Sequence, residues 1–440
     1  MKKWTTPKCF KCLCNDRGVS LIMAISIGLV LGAIGFSTMH TVIIGARSSG
    51  NYIKSTKAFW AAEAGLERAL GYLFQQGDVT LGIADTDFLI NDVIGSSLVN
   101  VRIEADEGNI YQVQNQYEII SSATDGDIQR IVSQTVQSEI YSDFAYTSHS
   151  EGSGINYFST GDVIGGPMHS NDQIAIQGSP LFIGEVSSSA ASFLEGPGYA
   201  PIFENDYSLR AQEMILPTKE DWNRHVRKLQ GNKGFPINIE AKYGKTTELE
   251  FFADGTFTYS VWKKSGANKI YYSRDVTRNI SDSNGLIRII GDATGEAKIH
   301  GIIKGRITFY SMGVIKIIDD IVYEDADTDG NVPTDSENFF GIISRRGIII
   351  PKTTANMSDI KINAAILTTE SSFSAESYNT GPLRGTIRLH GSLAQFTRGK
   401  IGTTQSGYRA NYTYDTRFKV LPLPWFPATG RFRRLQWQEK

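Results

Sequence analysis

Residues 19–46 read VSLIMAISIGLVLGAIGFSTMHTVIIGA, twenty-eight positions without a charged side chain. As an α-helix this stretch spans about 42 Å, more than the ~30 Å hydrocarbon core of a bilayer. The eighteen residues before it, MKKWTTPKCFKCLCNDRG, carry Lys2, Lys3, Lys8, Lys11 and Arg17 against one acid, Asp16. A basic flank ahead of an apolar span predicts an N-terminus inside and the remainder of the chain outside. The apolar region of a secretory signal peptide is only about 7–15 residues. A plain signal anchor is the simpler alternative to a specialised span. Residues 47–76 continue in amphipathic form, with Phe59, Ala62, Leu66, Leu70 and Leu73 at steps of three and four on one helical face. Gly77 then reads as the helix stop.

The junction Arg17-Gly18-Val19-Ser20-Leu21-Ile22 puts glycine at the end of the basic leader, directly before the apolar run. This arrangement resembles the prepilin cleavage site of type IV pilins and type II secretion pseudopilins. The resemblance implies that a membrane peptidase cuts between Gly18 and Val19 and methylates the new N-terminus. The run Ala58-Phe59-Trp60-Ala61-Ala62-Glu63-Ala64-Gly65-Leu66-Glu67 is similar to the AF-AAEAGL stretch of PilX-type minor pilins. A membrane helix continued by an amphipathic helix is also the first-helix design of that family. The fifth residue after the cut, usually Glu there, is Met23. The resemblance implies that this Glu pairs with a neighbouring subunit's terminal amine inside an apolar filament core, where an unpaired charge is costly. Met23 therefore argues against a major filament subunit more than against the family.

The composition of the 440-residue chain, 41% hydrophobic and 20% charged, is globular rather than disordered. A formal net charge of −2 gives no electrostatic footprint for nucleic acid, and none is expected as a partner. All three cysteines, Cys9, Cys12 and Cys14, lie in the leader, one short of a four-ligand zinc site. The resemblance implies that they leave with it. The mature chain would then be cysteine-free, which suits an oxidising exterior. Its charge would move from −2 to −6, because the leader carries +4.

Residues 77–142 read as short antiparallel strands: Val99, Val101 and Ile103 alternate, then Tyr111 and Val113, Tyr117 and Ile119, Ile128, Ile131 or Val132, and Val136. Glu107-Gly108-Asn109 and Asp125-Gly126-Asp127 supply turns. From residue 143 to 440, Gly-punctuated strands such as Ala297-x-Ile299-x-Gly301-x-Ile303 follow without alternating long helices, which disfavours a doubly wound α/β fold. The fold class expected is α+β, mostly β: a long N-terminal pilin-like helix, a small antiparallel sheet, and a right-handed parallel β-helix-like domain. A jelly roll or sandwich is the alternative. Residues 165–172 and 340–343 resemble segments of bacterial envelope proteins that join such a domain to a PilX-type N-terminus. An inserted lobe is expected at about 190–283, with a short helix over 217–230 and a hairpin turning at Asp254-Gly255. The aromatic C-terminus (Pro422, Pro424, Trp425, Phe426, Pro427, Trp437) is expected to cap the last coil, with a carbohydrate platform as the functional alternative.

The densest acidic run is Glu324-Asp325-Ala326-Asp327-Thr328-Asp329-Gly330-Asn331, followed by Asp335 and Glu337. D-x-D-x-D-G opens a calcium loop, so Asp325, Asp327, Asp329, Asn331, Asp335 and Glu337 are candidate Ca²⁺ ligands. Ser336 stands at the twelfth position, where an EF-hand has Glu, and a solvated loop is the plainer reading. Asp319, Asp320, Arg345, Arg346, Arg384, Arg388 and His390 could line an enzymatic groove, but charged outer strand faces explain them as well. No H-E-x-x-H spacing, phosphate loop or nucleophile elbow occurs. No catalytic residue is assigned, and an enzyme is not expected. The function expected is a membrane-anchored minor pilin or pseudopilin, displaying its β-rich ectodomain for assembly, adhesion or surface binding. Its partners would be the membrane, a prepilin peptidase, other pilin subunits, and a surface glycan or protein. It would sit in the inner membrane with a periplasmic or extracellular ectodomain, and on the pilus after assembly. The alternatives are an envelope protein outside any filament and a β-helical polysaccharide-active enzyme.

Overall fold

In the computed structural model, residues 16–76, 85–105, 116–152, 156–216, 236–292, 294–419, 421 and 423–440 are described. The cysteines, Gly77, the turn at 107–109, Tyr111, Val113, Pro422 and the helix expected over 217–230 lie outside them.

One helix, α1 (Asp16–Gln76, 61 residues), unites the apolar and amphipathic segments. No proline breaks it, and Gly45 and Gly50 at the join have open space around them. Its C-terminal part lies on an antiparallel meander of β1 (Thr86–Ile94), β2 (Ser97–Ala105), β3 (Gln116–Asp125) and β4 (Ile128–Ile140). The hairpin turns fall at Gly95 and Gly126, both at φ 66°, a left-handed conformation that favours glycine. Period-two alternation sends Val99, Val101, Ile103, Tyr117, Ile119, Val132 and Val136 to one face. That face meets Ala62, Leu66, Leu70 and Leu73 of α1, all buried as the helical spacing predicts; Phe59 is half-buried at the edge.

The remainder is a large β-rich region joined mainly by parallel pairings. One ladder runs through Ile287, Phe309, Ile342, Ile366, Leu393, Tyr146, Met168 and Val186, each the register partner of the next. All eight side chains are buried, so like-placed apolar residues stack on one another along the region. The order of the ladder is not the order of the chain. The chain enters mid-stack at Tyr146–Ser150, runs outward to Tyr207–Leu209, and reappears at Ile237–Ala241 at the opposite end. It then returns tier by tier until Leu383–Thr397 pairs with Tyr146–Ser150, closing a seam between two runs.

Two expectations need correction. The described residues of 190–283 mostly belong to the ladders rather than to a separate lobe. Leu194–Glu195, Ile202–Phe203 and Tyr207–Leu209 pair in parallel with the first run, while Ile237–Ala241 and Thr246–Phe251 pair in parallel with the second. Among the described residues, Thr256–Ser265 folds back antiparallel on Thr246–Phe251 after the expected turn at Gly255, and Asn268–Asn279 pairs antiparallel with it in turn. Uneven coil lengths hide the repeat that would have shown membership. The C-terminus also does not cap the last coil. Trp425 donates to the Asn284 carbonyl (2.8 Å), the Pro424 carbonyl accepts from Thr308, and Phe426 packs by Gly341. The segment thus lies across several tiers. Ala428–Glu439 then leaves the region and joins the first sheet as its fifth strand, antiparallel to β4. An unpaired β4 edge is thereby covered.

Candidate functional site

The feature that most constrains function is the split personality of α1. Its side chains from Ser20 to Ser49 are all exposed. The most apolar eighteen-residue window has a mean hydropathy of 2.1, enough in length and composition to cross a membrane. Two hydroxyls of the apolar segment are satisfied locally: Thr38 donates to the Gly35 carbonyl (3.0 Å) and Thr41 to that of Ser37 (2.9 Å). Internal satisfaction of polar groups is what a bilayer demands.

The docked half is built for close approach. Ala58, Ala61, Ala62 and Ala69 are buried, and a Cβ on Gly65 would lie 2.7 Å from Ser121 Oγ and 2.8 Å from a Val99 methyl. Glycine therefore lets the helix backbone rest on β2 and β3, and Ser121 donates to the Ala62 carbonyl at 2.7 Å. This gives the A-A-E-A-G-L stretch a packing reason. Around it, Arg434 of the C-terminal strand grips Glu67 through two nitrogens (2.8 and 2.9 Å), and Trp437 Nε1 donates to Glu63 (2.8 Å). Lys54 pairs with Asp127 (2.8 Å). These polar links are exposed, and exposed ion pairs contribute little, so apolar docking dominates.

Gly18 and Val19 lie in the first turns of α1, with their side-chain surroundings outside the described residues. Met23 is exposed on the apolar segment. Asp325, Asp327, Asp329, Asn331, Asp335 and Glu337 are all exposed on the loop after the strand Val314–Tyr323. Asp327 is used by its own loop: its carboxylate accepts the Asp329 N–H (2.9 Å), the Asn331 N–H (2.8 Å) and Asn331 Nδ2 (2.8 Å). The Asn331 amide beside it holds its pKa below the usual carboxylate value. Among the described residues no three His, Cys, Asp or Glu side chains converge as a metal-holding group.

The residues weighed for an enzymatic groove are dispersed into separate pairs. Asp320 meets Lys361 (3.5 Å), Arg345 meets Glu370, Arg388 meets Asp359 (3.2 Å), and Arg384 donates to the Glu376 and Ser377 carbonyls. His390 stands 4.0 Å from Asp415, and burial lowers its pKa.

Two buried ion clusters escaped the sequence reading. Asp415 binds Arg417 (2.6 Å), whose Nη1 donates to the Ser336 carbonyl (2.7 Å). At the seam, Arg398 bridges Glu151 (3.1 Å) and the carbonyls of Asn156 (2.7 Å) and Tyr157 (3.2 Å). Its guanidinium also stacks 3.4 Å from the Phe158 ring centroid. Ser170 donates to the same Glu151 at 3.1 Å. Nothing in one sequence links positions 151 and 398. Beside this cluster a cavity of about 400 Å³ opens between loops of the two runs.

Fold and site together define a helix-led α+β protein with an apolar segment of membrane-spanning length. No family model matches the chain, and no curated protein matches it. Among solved structures, the competence-associated pilin ComZ from Thermus thermophilus aligns over 88% of this chain and 98% of its own, at 11% identity and a TM-score of 0.33. At that score the likeness carries no argument.

Proposed function

We propose that this chain is a membrane-anchored subunit of the minor-pilin or pseudopilin kind, displaying its large β-rich region on the outer side of the membrane. In this reading the parallel ladders wind as a right-handed β-helix. The supporting observation is one unbroken helix in two environments: exposed and uncharged over a membrane's thickness, then docked through small residues on an antiparallel sheet. The membrane holds the first part before assembly, and the same segments of neighbouring pilin subunits hold it in a filament. A prepilin peptidase releases the basic leader between Gly18 and Val19.

Mass spectrometry of the protein from its native membranes tests the reading. A methylated N-terminus at Val19 is expected. Intact Met1 on a membrane-bound protein supports the second reading, an anchored envelope protein outside any filament, which Met23 at the fifth position favours. Recovery of the full chain from the aqueous fraction overturns both.

A further inference from the structure

The cavity at the seam is lined from both runs: Tyr157 and Gln177 from the first, and Tyr378, Asn379, Lys400 and Arg409 from the second. Its volume, about 400 Å³, lies in the range of small-ligand sites, roughly 300–1,000 Å³. Most of its polar side chains, Asn156, Gln177, Gln395 and Tyr408 among them, are spent on the wall itself, and a small set is left over. Among the described residues, Lys400 has no carboxylate partner, and the Tyr157 and Tyr378 hydroxyls and the Asn379 side chain have no hydrogen-bond partner. Arg409 donates only to the backbone carbonyls of Thr403 (3.4 Å) and Thr404 (2.8 Å).

The charges sort into structural and available ones. Arg398 is consumed by Glu151 and two carbonyls. Asp162, the carboxylate in the lining, accepts one backbone N–H on each oxygen, from Ser159 (2.8 Å) and Ala410 (3.1 Å), and so holds the wall in place. Lys400 and Arg409 remain, so the cavity keeps a net charge of +1 even when Glu151 is counted with Arg398 and Asp162. Two tyrosine rings beside free amide and hydroxyl groups suit a molecule with one apolar C–H face and hydroxyls around its rim.

We propose that this cavity binds an acidic saccharide, a hexuronate unit whose carboxylate meets Lys400 and Arg409 and whose ring lies against Tyr378 or Tyr157. A cationic side chain without an internal partner gains a charge-assisted hydrogen bond from such a carboxylate. A neutral sugar would leave that charge uncompensated. The inference does not depend on how the chain is anchored.

Calorimetric titration of the full chain in detergent with trigalacturonate, a neutral trisaccharide and sodium acetate tests it. Trigalacturonate is expected to bind about tenfold tighter than the neutral sugar, the scale of one charge-assisted contact. Lys400→Gln should remove most of that preference without moving the melting temperature. Tyr378→Ala should weaken the acidic sugar as well, which separates ring stacking from charge. Equal binding of the neutral sugar, acetate competing as well as the trisaccharide, an unchanged Lys400→Gln protein, or no heat at millimolar sugar would each overturn the proposal.

Discussion

The first sheet and the large region use the same material, short apolar strands punctuated by glycine, yet they close in different ways. In the sheet, β1–β2 and β3–β4 are joined by two-residue turns, so most partners are local. Its one distant strand is Ala428–Glu439. In the large region, outside the hairpins over 246–279, a strand waits for a partner a full coil away, and at the seam Leu393 pairs with Tyr146, 247 positions earlier. Loop-closure entropy grows only logarithmically, so replacing a coil-length loop by that one costs about 2 kcal/mol. The difference lies less in stability than in order of assembly: non-local ladders are slow to form. Because the C-terminal strand reaches β4 from the large region, the sheet is completed from outside itself.

Phe309→Ala is the strongest test of whether the regions are separate units. Phe309 lies fully buried between Ile287 and Ile342 in the ladder. Removing a buried Phe side chain costs about 3–5 kcal/mol, including the cavity left behind. Hydrogen exchange should accelerate through the large region while residues 50–76 and β2–β4 keep their protection. Equal acceleration in both would show a single cooperative unit and erase the distinction.

The same contrast decides what could be read in advance. Helix length, its buried face and the hairpin turn at Gly126 follow from periods of 3.6 and 2 and from turn chemistry, all local signals. The large region announces its strands equally well. Ala297, Ile299 and Ile303 are buried on one face as their alternation suggests. What alternation cannot carry is which strand neighbours which. The seam, the placement of Ala428–Glu439 beside β4, and the pairing of Glu151 with Arg398 are partner choices across more than 240 positions. The acidic run at 325–337 is ambiguous in the sequence for another reason. Asp and Asn in such runs serve their own backbone turns, as Asp327 does for Asn331, and residue type alone does not distinguish that use from cation binding.

Asp143 sits where the two regions join, in the short 3₁₀ turn Tyr141–Asp143 after β4. One carboxylate oxygen accepts the Ile140 N–H (3.1 Å); the other is buried without a partner among the described residues. Burial pushes its pKa up to about 6, with the Ile140 N–H, Arg433 and Lys419 opposing the shift and Glu139 adding to it. Because the folded value lies above the unfolded one, this group favours folding most below pH 4, and the advantage is lost as pH rises to about 6. A two-unit shift corresponds to at most about 3 kcal/mol. Asp143→Asn keeps the Ile140 hydrogen bond and abolishes the titration. The variant should melt higher than the parent at pH 8 and alike at pH 4. A constant difference across that range would assign the effect to packing instead.

Gly65 and Gly71 give the finest discrimination, because the same substitution has opposite expected signs one to two turns apart on the docked half of α1. In a helix interior alanine is more favourable than glycine by about 1 kcal/mol. At Gly71 a new Cβ meets nothing within 4 Å, so Gly71→Ala should stabilise the sheet module by that amount. At Gly65 the Cβ would come within 3 Å of Ser121 Oγ and of methyls from Val99 and Val101. None of the three can retreat easily. Both valines are buried in the sheet, and the serine is held by its hydrogen bond to Ala62. Overpacking of this kind costs about 1–3 kcal/mol, which exceeds the propensity gain. Gly65→Ala should therefore lower the melting temperature of the helix–sheet module while leaving the large region's exchange unchanged. If both variants stabilise alike, helix propensity outweighs packing here and Gly65 is not what seats α1 on the sheet.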